Sequence, residues 1–381
     1  MTEKEQFYQN RISTFDSQRK KAAQRAGWLT FLRLIIFILT ATTAYLLWPQ
    51  YKFVAASIVV GGILFFIAVF YHEKVSQRKR YLSQLIKINQ DEIAYLKGDL
   101  SPFQNGLEYK NDQHDFCNDL DVFGEASVFQ KINRTAFNEG EAQLAESFKS
   151  NDINDISSKQ NIIKELADKI DFRQSFTAEA SLVKSEISNH VLADWLNSYK
   201  SFSPKIAPYL SLVFSIISVG LISLLFMGIL EFKHILLWLL VGIGITGIYI
   251  KKINRLLQFI NQTQSVFQQH SALIQLIENT SFQSEKLKDI QSDFTSDNEK
   301  ASVLIYKLTK LIDSLEQRSN LLVGIFLNGF LLWDIRLCYN IEKWIGQHGS
   351  KVEKWLHHIS EIDAQNSLAN FAYNQDTYVY P

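Results

Sequence analysis

The chain has 381 residues, 47% of them hydrophobic and 20% charged, with 39 basic side chains against 39 acidic ones. That length accommodates more than one folded unit, and the zero net charge excludes nucleic-acid binding that rests on overall positive charge. Five prolines and sixteen glycines are few for this length and predict long helices, while two distant cysteines, Cys117 and Cys338, exclude a disulfide framework and fit a reducing compartment.

In chain order, residues 1–27 form a cytoplasmic N-terminal segment that ends in Arg19, Lys20, Lys21 and Arg25. Residues 28–71 hold two apolar runs, Trp28–Trp48 and Phe53–Tyr71, each about 20 residues and so long enough to cross a hydrocarbon core as a helix. Only PQYK separates them, which predicts a hairpin. Arg33 interrupts the first run near its start, where its stem lies in the apolar layer and its guanidinium reaches the surface. Residues 72–200 are the first part of a cytoplasmic helical core. Residues 201–250 repeat the hairpin with Ile206–Leu230 and Ile235–Ile250, joined through EFKH; the short fourth run draws on Trp238 and Tyr249 at its edges. Residues 251–381 supply long helices and the second part of the core.

Orientation follows from the flanks, because basic residues stay on the cytoplasmic side. Lys74, Arg78, Lys79 and Arg80 follow the second run, Lys200 and Lys205 precede the third, and Lys251, Lys252 and Arg255 follow the fourth. The two connectors hold only Lys52 and a Lys233 balanced by Glu231. A multi-pass protein of the inner, cytoplasmic membrane is expected, with the lipid bilayer as a partner and every large polar stretch in the cytoplasm. A basic 27-residue leader followed by a full-length second run does not fit a cleaved signal peptide.

The cytoplasmic stretches read as helices. Ser157-Ser-Lys-Gln160 has the form of a capping box opening a helix with Ile162, Ile163, Leu166 and Ile170 on one side, and Thr177–Lys200 continues as an amphipathic segment. After the fourth run, helical spacing persists without proline or glycine, so that helix is expected to run on into the cytoplasm. Leu304, Leu308, Leu311, Leu315, Leu322 and Ile325 fall on steps of four and three, apart from Arg318, and predict one long helix with a coiled-coil-like seam. Ser350-Lys-Val-Glu353 spells another capping box, predicting a last helix with Val352, Trp355, Leu356, Ile359 and Ile362 on one face.

Several motifs are spelled without their context. Asn133-Arg-Thr, Asn261-Gln-Thr and Asn279-Thr-Ser are glycosylation acceptors only by spelling, since cytoplasmic placement makes them inert. GIGITG at Gly242–Gly247 lies inside the fourth run with no preceding strand, so its small residues serve close helix packing rather than phosphate binding. His114 with Cys117, and His348, His357 and His358, lack the spacing of a four-ligand metal set. The acidic residues of Asp112–Asp121 read as a solvated loop. Neither GxSxG nor GxxxxGK[ST] occurs, so no catalytic, cofactor-binding or metal-ligating residue is assigned.

The stretch DLDVFGEASVFQKINRTAFNEGEAQLAESF, followed by ISSKQNIIKELADKIDFRQSF, resembles the start of the helical core of MutS-type DNA mismatch-repair ATPases. WLHHISEIDAQNSLANFAYNQDTYVYP is similar to the segment with which that core hands over to the ATPase domain, and RSNLLVGIFLNGFLLWDI resembles the long lever helix of membrane-bound MutS-like proteins. The resemblance covers Asp119–Phe176 and Ser284–Pro381. It implies an all-α fold: four transmembrane helices as two hairpins plus a cytoplasmic MutS-like core and lever domain. Phe123, Val128, Phe129, Ile132 and Leu144 would bury against the lever, Gly140 would permit a tight turn, and Asn133 and Thr135 would fix that turn locally. Phe123-Gly-Glu125 and Phe137-Asn-Glu139 spell the family's mismatch-reading wedge but lie in the core segment, where the spelling is coincidental.

The sequence departs from the family in two places. The second hairpin stands where the family inserts a DNA clamp, and no ATPase domain follows Pro381. Either the polypeptide is cut short or the gene encodes only this part, and a lever with nothing to move favours the first. ATP and Mg²⁺ are thus expected only for a missing C-terminal domain, as is a homodimer made through it, and this chain is expected to have no enzyme activity of its own. The resemblance implies a membrane-anchored core and lever coupling that ATPase to mismatched or branched DNA or to a membrane-proximal partner. The alternative is a structural membrane scaffold or tether without nucleic-acid binding. A channel or transporter is disfavoured, because the four runs offer almost no interior polar residues.

Overall fold

The computed structural model describes residues 2–111, 113–151, 153–182, 189–296 and 299–380. It is all-α apart from one two-residue ladder, β1 (Thr295–Ser296) against β2 (Glu299–Lys300). The helices are α1 (Glu3–Leu46), α2 (Tyr51–Leu96), α3 (Val128–Ile132), α4 (Asn138–Lys149), α5 (Ile156–Asp168), α6 (Ile170–Ala180) and α7 (Asn189–Ser198). They continue with α8 (Ala207–Phe226), α9 (Phe232–Glu278), α10 (Glu285–Asp293), α11 (Ala301–Glu316), α12 (Leu321–Leu331) and α13 (Trp333–Asn374). Among the described residues, four helices are long and apolar enough to cross a membrane: α1, α2, α8 and the Phe232–Gln264 part of α9. They carry the four apolar runs.

The chain divides into two compact units. The first comprises Met1–Arg134, Leu166–Leu182 and Ser367–Pro381. Thr2 opens α1 with a true capping box: its hydroxyl accepts from Glu5 N, and its own N–H donates to the Glu5 carboxylate. α1 and α2 pack as an antiparallel hairpin, with the Arg33 guanidinium over the Phe65 ring and Gly61 so close to Thr40 that any Cβ there would fall on the threonine side chain. Farther along, Leu82 and Leu85 of α2 and Ala178 of α6 form a small core against Phe15, Tyr81 and Ile88. Phe123, Phe129 and Tyr109 make an aromatic cluster with centroids 5.2–6.1 Å apart, packed on Gly106, whose φ of +67° suits glycine.

The second unit comprises Thr135–Glu165 and Val183–Asn366. α9 runs unbroken for 47 residues, continuing well past the fourth apolar run as its spacing predicts. α11 lies antiparallel along it: Ser302 bonds Glu278 at one end, Gln264 bonds Asp313 in the middle, and Arg318 bonds Asn254 farther on. Tryptophans bridge elements through their N–H groups, Trp344 to Leu304 O and Trp355 to Asp293 O, while Trp195 stacks on Phe259 at 3.8 Å.

Several local expectations are overturned. The single helix through Leu304–Ile325 is instead α11, a 3₁₀ turn at Gln317–Ser319 and α12. Leu304, Leu308 and Leu315 are buried, but Leu322 and Ile325 are exposed, so the seam ends where Asn320 turns extended. The lever-like stretch Arg318–Ile335 is likewise broken: Leu332 adopts a left-handed conformation (φ +50°), and α12 meets α13 at 83°. Ser350 caps nothing, because it lies within the 42-residue α13. Ser157 is already inside α5, which starts at Ile156 after Asp155 takes a positive φ. Gly140 makes no turn and sits in the first turn of α4. Val128 is 44% exposed, although Phe123, Phe129, Ile132 and Leu144 are buried. Trp238 stacks on Phe214 at 4.3 Å and donates to Ser218 Oγ. Thr177–Lys200 is not one run: α6 ends at Ala180, α7 starts at Asn189, and 183–188 lie outside the described residues.

Candidate functional site

The stretches that carry the family resemblance meet at two buried polar junctions. In the second unit, the Asp363 carboxylate of α13 accepts from Ala136 N at 2.9 Å and Phe137 N at 3.0 Å, joining segments 227 residues apart in sequence. These amides lead directly into α4, so the carboxylate faces the positive end of that helix. Gly140 makes the approach possible, because a Cβ there would come within 2.8 Å of Asp363 Cγ. Full burial nonetheless dominates and pushes the Asp363 carboxyl up to about 7; the two amides pull it down, and Glu141 and Glu139 push it further up.

In the first unit, Glu92 of α2 is buried and receives Arg134 Nε at 2.6 Å and Asn374 Nδ2 at 2.8 Å, while Tyr8 of α1 donates to Asn374 Oδ1 at 2.8 Å. The Arg134 guanidinium lies 3.5 Å from the Phe103 centroid and 4.6 Å from that of Tyr95, and its backbone N–H donates to Ser367 Oγ. Nearby, Asn89 and Gln174 exchange two bonds of 3.0 Å, and Arg11 joins them through Gln174. Arg173 is drawn down to about 10 by burial, partly opposed by Tyr8 and Glu92, and donates to Leu166 O and Ala167 O at the end of α5. Glu92 and Arg134 are paired and hydrogen-bonded, as low-dielectric burial demands, whereas Arg173 Nε and Nη2 have no hydrogen-bond partner among the described residues.

Neither junction contains a nucleophile beside a base, and among the described residues no group of three or more His, Cys, Asp or Glu is placed to hold a metal ion. The His114 ring packs edge-on against Phe116. His358 bonds Asp293, which also receives Lys354; burial opposes ionisation of Asp293, but these two bonds hold it below its ordinary value. A cleft of about 480 Å³ between α4, α7 and α13 is lined by Glu139, His190, Glu353, Lys354 and His357, among others. Its charges are largely committed: Glu139 accepts from Asn189 N, Glu353 from Asn197, and Lys354 pairs with Asp293. Asp115, Asp119 and Asp121 are exposed, as a solvated loop requires, while Asp112 lies outside the described residues. The Phe123 ring is buried and the Phe137 ring stacks on His270 at 5.7 Å, so neither phenyl projects as a wedge.

Sequence reading missed Glu92, Arg134 and Asp363. The signal was present, because Glu92 continues the buried stripe Leu82, Leu85, Asn89, and Asp363 continues Val352, Trp355, Ile359. A carboxylate on an apolar face needs a partner. Comparison with protein-family models, curated proteins and solved structures finds no match for the chain.

Proposed function

We propose that the chain is the membrane-anchored core and lever region of a MutS-like protein, carrying movement between an ATPase domain and a DNA or membrane-proximal partner. The observation that carries this reading is the meeting of its two resembling stretches: Asp363 on Ala136 and Phe137, and Ser367 on Arg134. A core that must transmit force needs its separated segments locked by directional bonds, and these are such bonds. α1, α2, α8 and α9 anchor it in the cytoplasmic membrane with the basic flanks inside. A homodimer and the ATP and Mg²⁺ chemistry would belong to the ATPase domain.

The test is retention of mismatched or branched duplexes by the protein in lipid nanodiscs at rising salt. Phosphate contacts make log affinity fall linearly with log salt concentration, and that fall is the expected result. Absence of retention at the lowest salt leaves the second reading, a membrane scaffold without nucleic acid, which the chain's zero net charge favours.

A further inference from the structure

We propose that residues 319–337 dip into the bilayer beside α8 and α9 and return to the same side, a re-entrant helix–break–helix whose outer face is covered by lipid. This rests on the membrane reading of α8 and α9.

The depth follows from the neighbours. At the entry, Arg318 bonds Asn254 and pairs with Asp334 at 2.9 Å, level with the basic end of the fourth span, Lys251 and Lys252. Farther along, Gly329 packs on Leu239, and a Cβ on Gly242 would lie 2.5 Å from Gly329 O, so the two backbones touch. Leu239 and Gly242 stand about 10 to 15 Å along α9 from Tyr249, at 1.5 Å per residue. That approaches the midpoint of a hydrocarbon core of about 30 Å. At the return, Glu342 of α13 gathers Tyr199, Ser201 and the N–H groups of Phe202 and Ser203, the residues that lead into α8. Phe202 stacks with Tyr249, which puts this exit at the same level as the entry.

The chemistry of α12 is that of a lipid-facing helix. Its outer surface is Leu321 (73% exposed), Leu322 (77%) and Phe326 (56%), with Val323 and Ile325 beside them, and it carries no charged residue. Its one strongly polar side chain, Asn328, points inward, an arrangement opposite to that of a helix facing water. The apolar face continues into exposed Leu236, Leu237 and Leu240 of α9. A break at membrane depth requires its backbone groups to be satisfied by protein. Asn328 accepts from Asp334 N just past the break, and Ser218 Oγ donates to Phe330 O just before it at 2.7 Å.

The test places a nitroxide at single sites of the full chain in phosphatidylcholine–phosphatidylglycerol vesicles and compares collision with oxygen and with a water-soluble nickel chelate. The unmodified parent, whose two cysteines are buried, supplies the background. Leu322→Cys and Phe326→Cys are expected to match Leu237→Cys on α9, with oxygen favoured and nickel excluded, whereas Tyr306→Cys on α11 favours nickel. Tyr306→Cys and Lys343→Cys are expected to react with an impermeant maleimide from the same side. Nickel access at 322 and 326 with lipid-like behaviour at 237 overturns the re-entrant segment and leaves the spans standing. Nickel access at 237 as well overturns the membrane reading itself. Exclusion of both probes at 322 and 326 means a protein covers α12, and opposite-side labelling of 306 and 343 means a fifth span; either result overturns the proposal.

Discussion

The Asp363–Gly140 contact shows how a single missing methyl group sets a junction. Gly140→Ala forces a Cβ against a carboxylate that already holds two amides, an overpacking that costs about 1–3 kcal/mol. Asp363→Ala leaves Ala136 and Phe137 N–H without their acceptor, at about 1–3 kcal/mol for each buried donor. The double variant is expected to lose less than the sum, because removing the carboxylate makes room for the new methyl. Thermal unfolding of all four forms in mild detergent measures that coupling, and strict additivity would show that the two residues do not meet.

Asp363 also predicts a pH dependence. Its folded value, about 7, stands above the ordinary carboxylate value of 3.8, so the folded protein binds the proton more tightly than the unfolded chain between those limits. Stability attributable to this group therefore falls as pH rises from about 4 to 7, by at most about 1.4 kcal/mol per pH unit, and is level above and below. Asp363→Asn keeps one acceptor and cannot titrate. The wild-type minus variant difference in stability is expected to slope downward across that window, and a flat difference would mean that Asp363 is ionised throughout.

At the scale of elements, legibility in the sequence depended on what each pattern reports. Apolar runs long enough to span a bilayer report a solvent, and all four coincide with helices of sufficient length and apolarity. Capping boxes report only a local option. Thr2 and Glu5 realise it where α1 begins, whereas Ser350 and Glu353 sit on a helix whose neighbouring turns are already stabilised by packing, and the backbone runs through them. The break at Leu332 was illegible because leucine rarely takes a positive φ, and no glycine or proline marks the position. What enforces it is tertiary: Asn328, Ser218 and the glycine-to-glycine approach of α12 to α9. Gly242→Leu therefore presses a side chain into the Gly329 carbonyl, which as backbone cannot yield. It is expected to lower the unfolding temperature and to expose Cys338, now fully buried, to a maleimide. Unchanged Cys338 reactivity together with an unchanged unfolding temperature would mean that α12 does not depend on this contact.

For the molecule as a whole, the first hairpin decides sidedness. α1 and α2 have 44 and 46 residues, about 66–69 Å at 1.5 Å per residue, against a hydrocarbon core of about 30 Å. Since the apolar runs end at the tight turn around Pro49, the excess length projects entirely on one side, where Phe15 of α1 packs beside Leu82 and Leu85 of α2. The projecting parts carry the basic residues, and lysine and arginine are retained in the cytoplasm. Lys20→Cys and Lys79→Cys, both on exposed positions, are thus expected to react with an impermeant maleimide only in inside-out vesicles. Tyr51→Cys, at the turn and 76% exposed, is expected to react only in right-side-out vesicles. Reaction of positions 20 and 51 from one side would mean that this hairpin lies along the membrane or outside it. The proposed cytoplasmic placement of the Glu92–Arg134 junction would fall with it, because Glu92 belongs to the same continuous helix as Lys79.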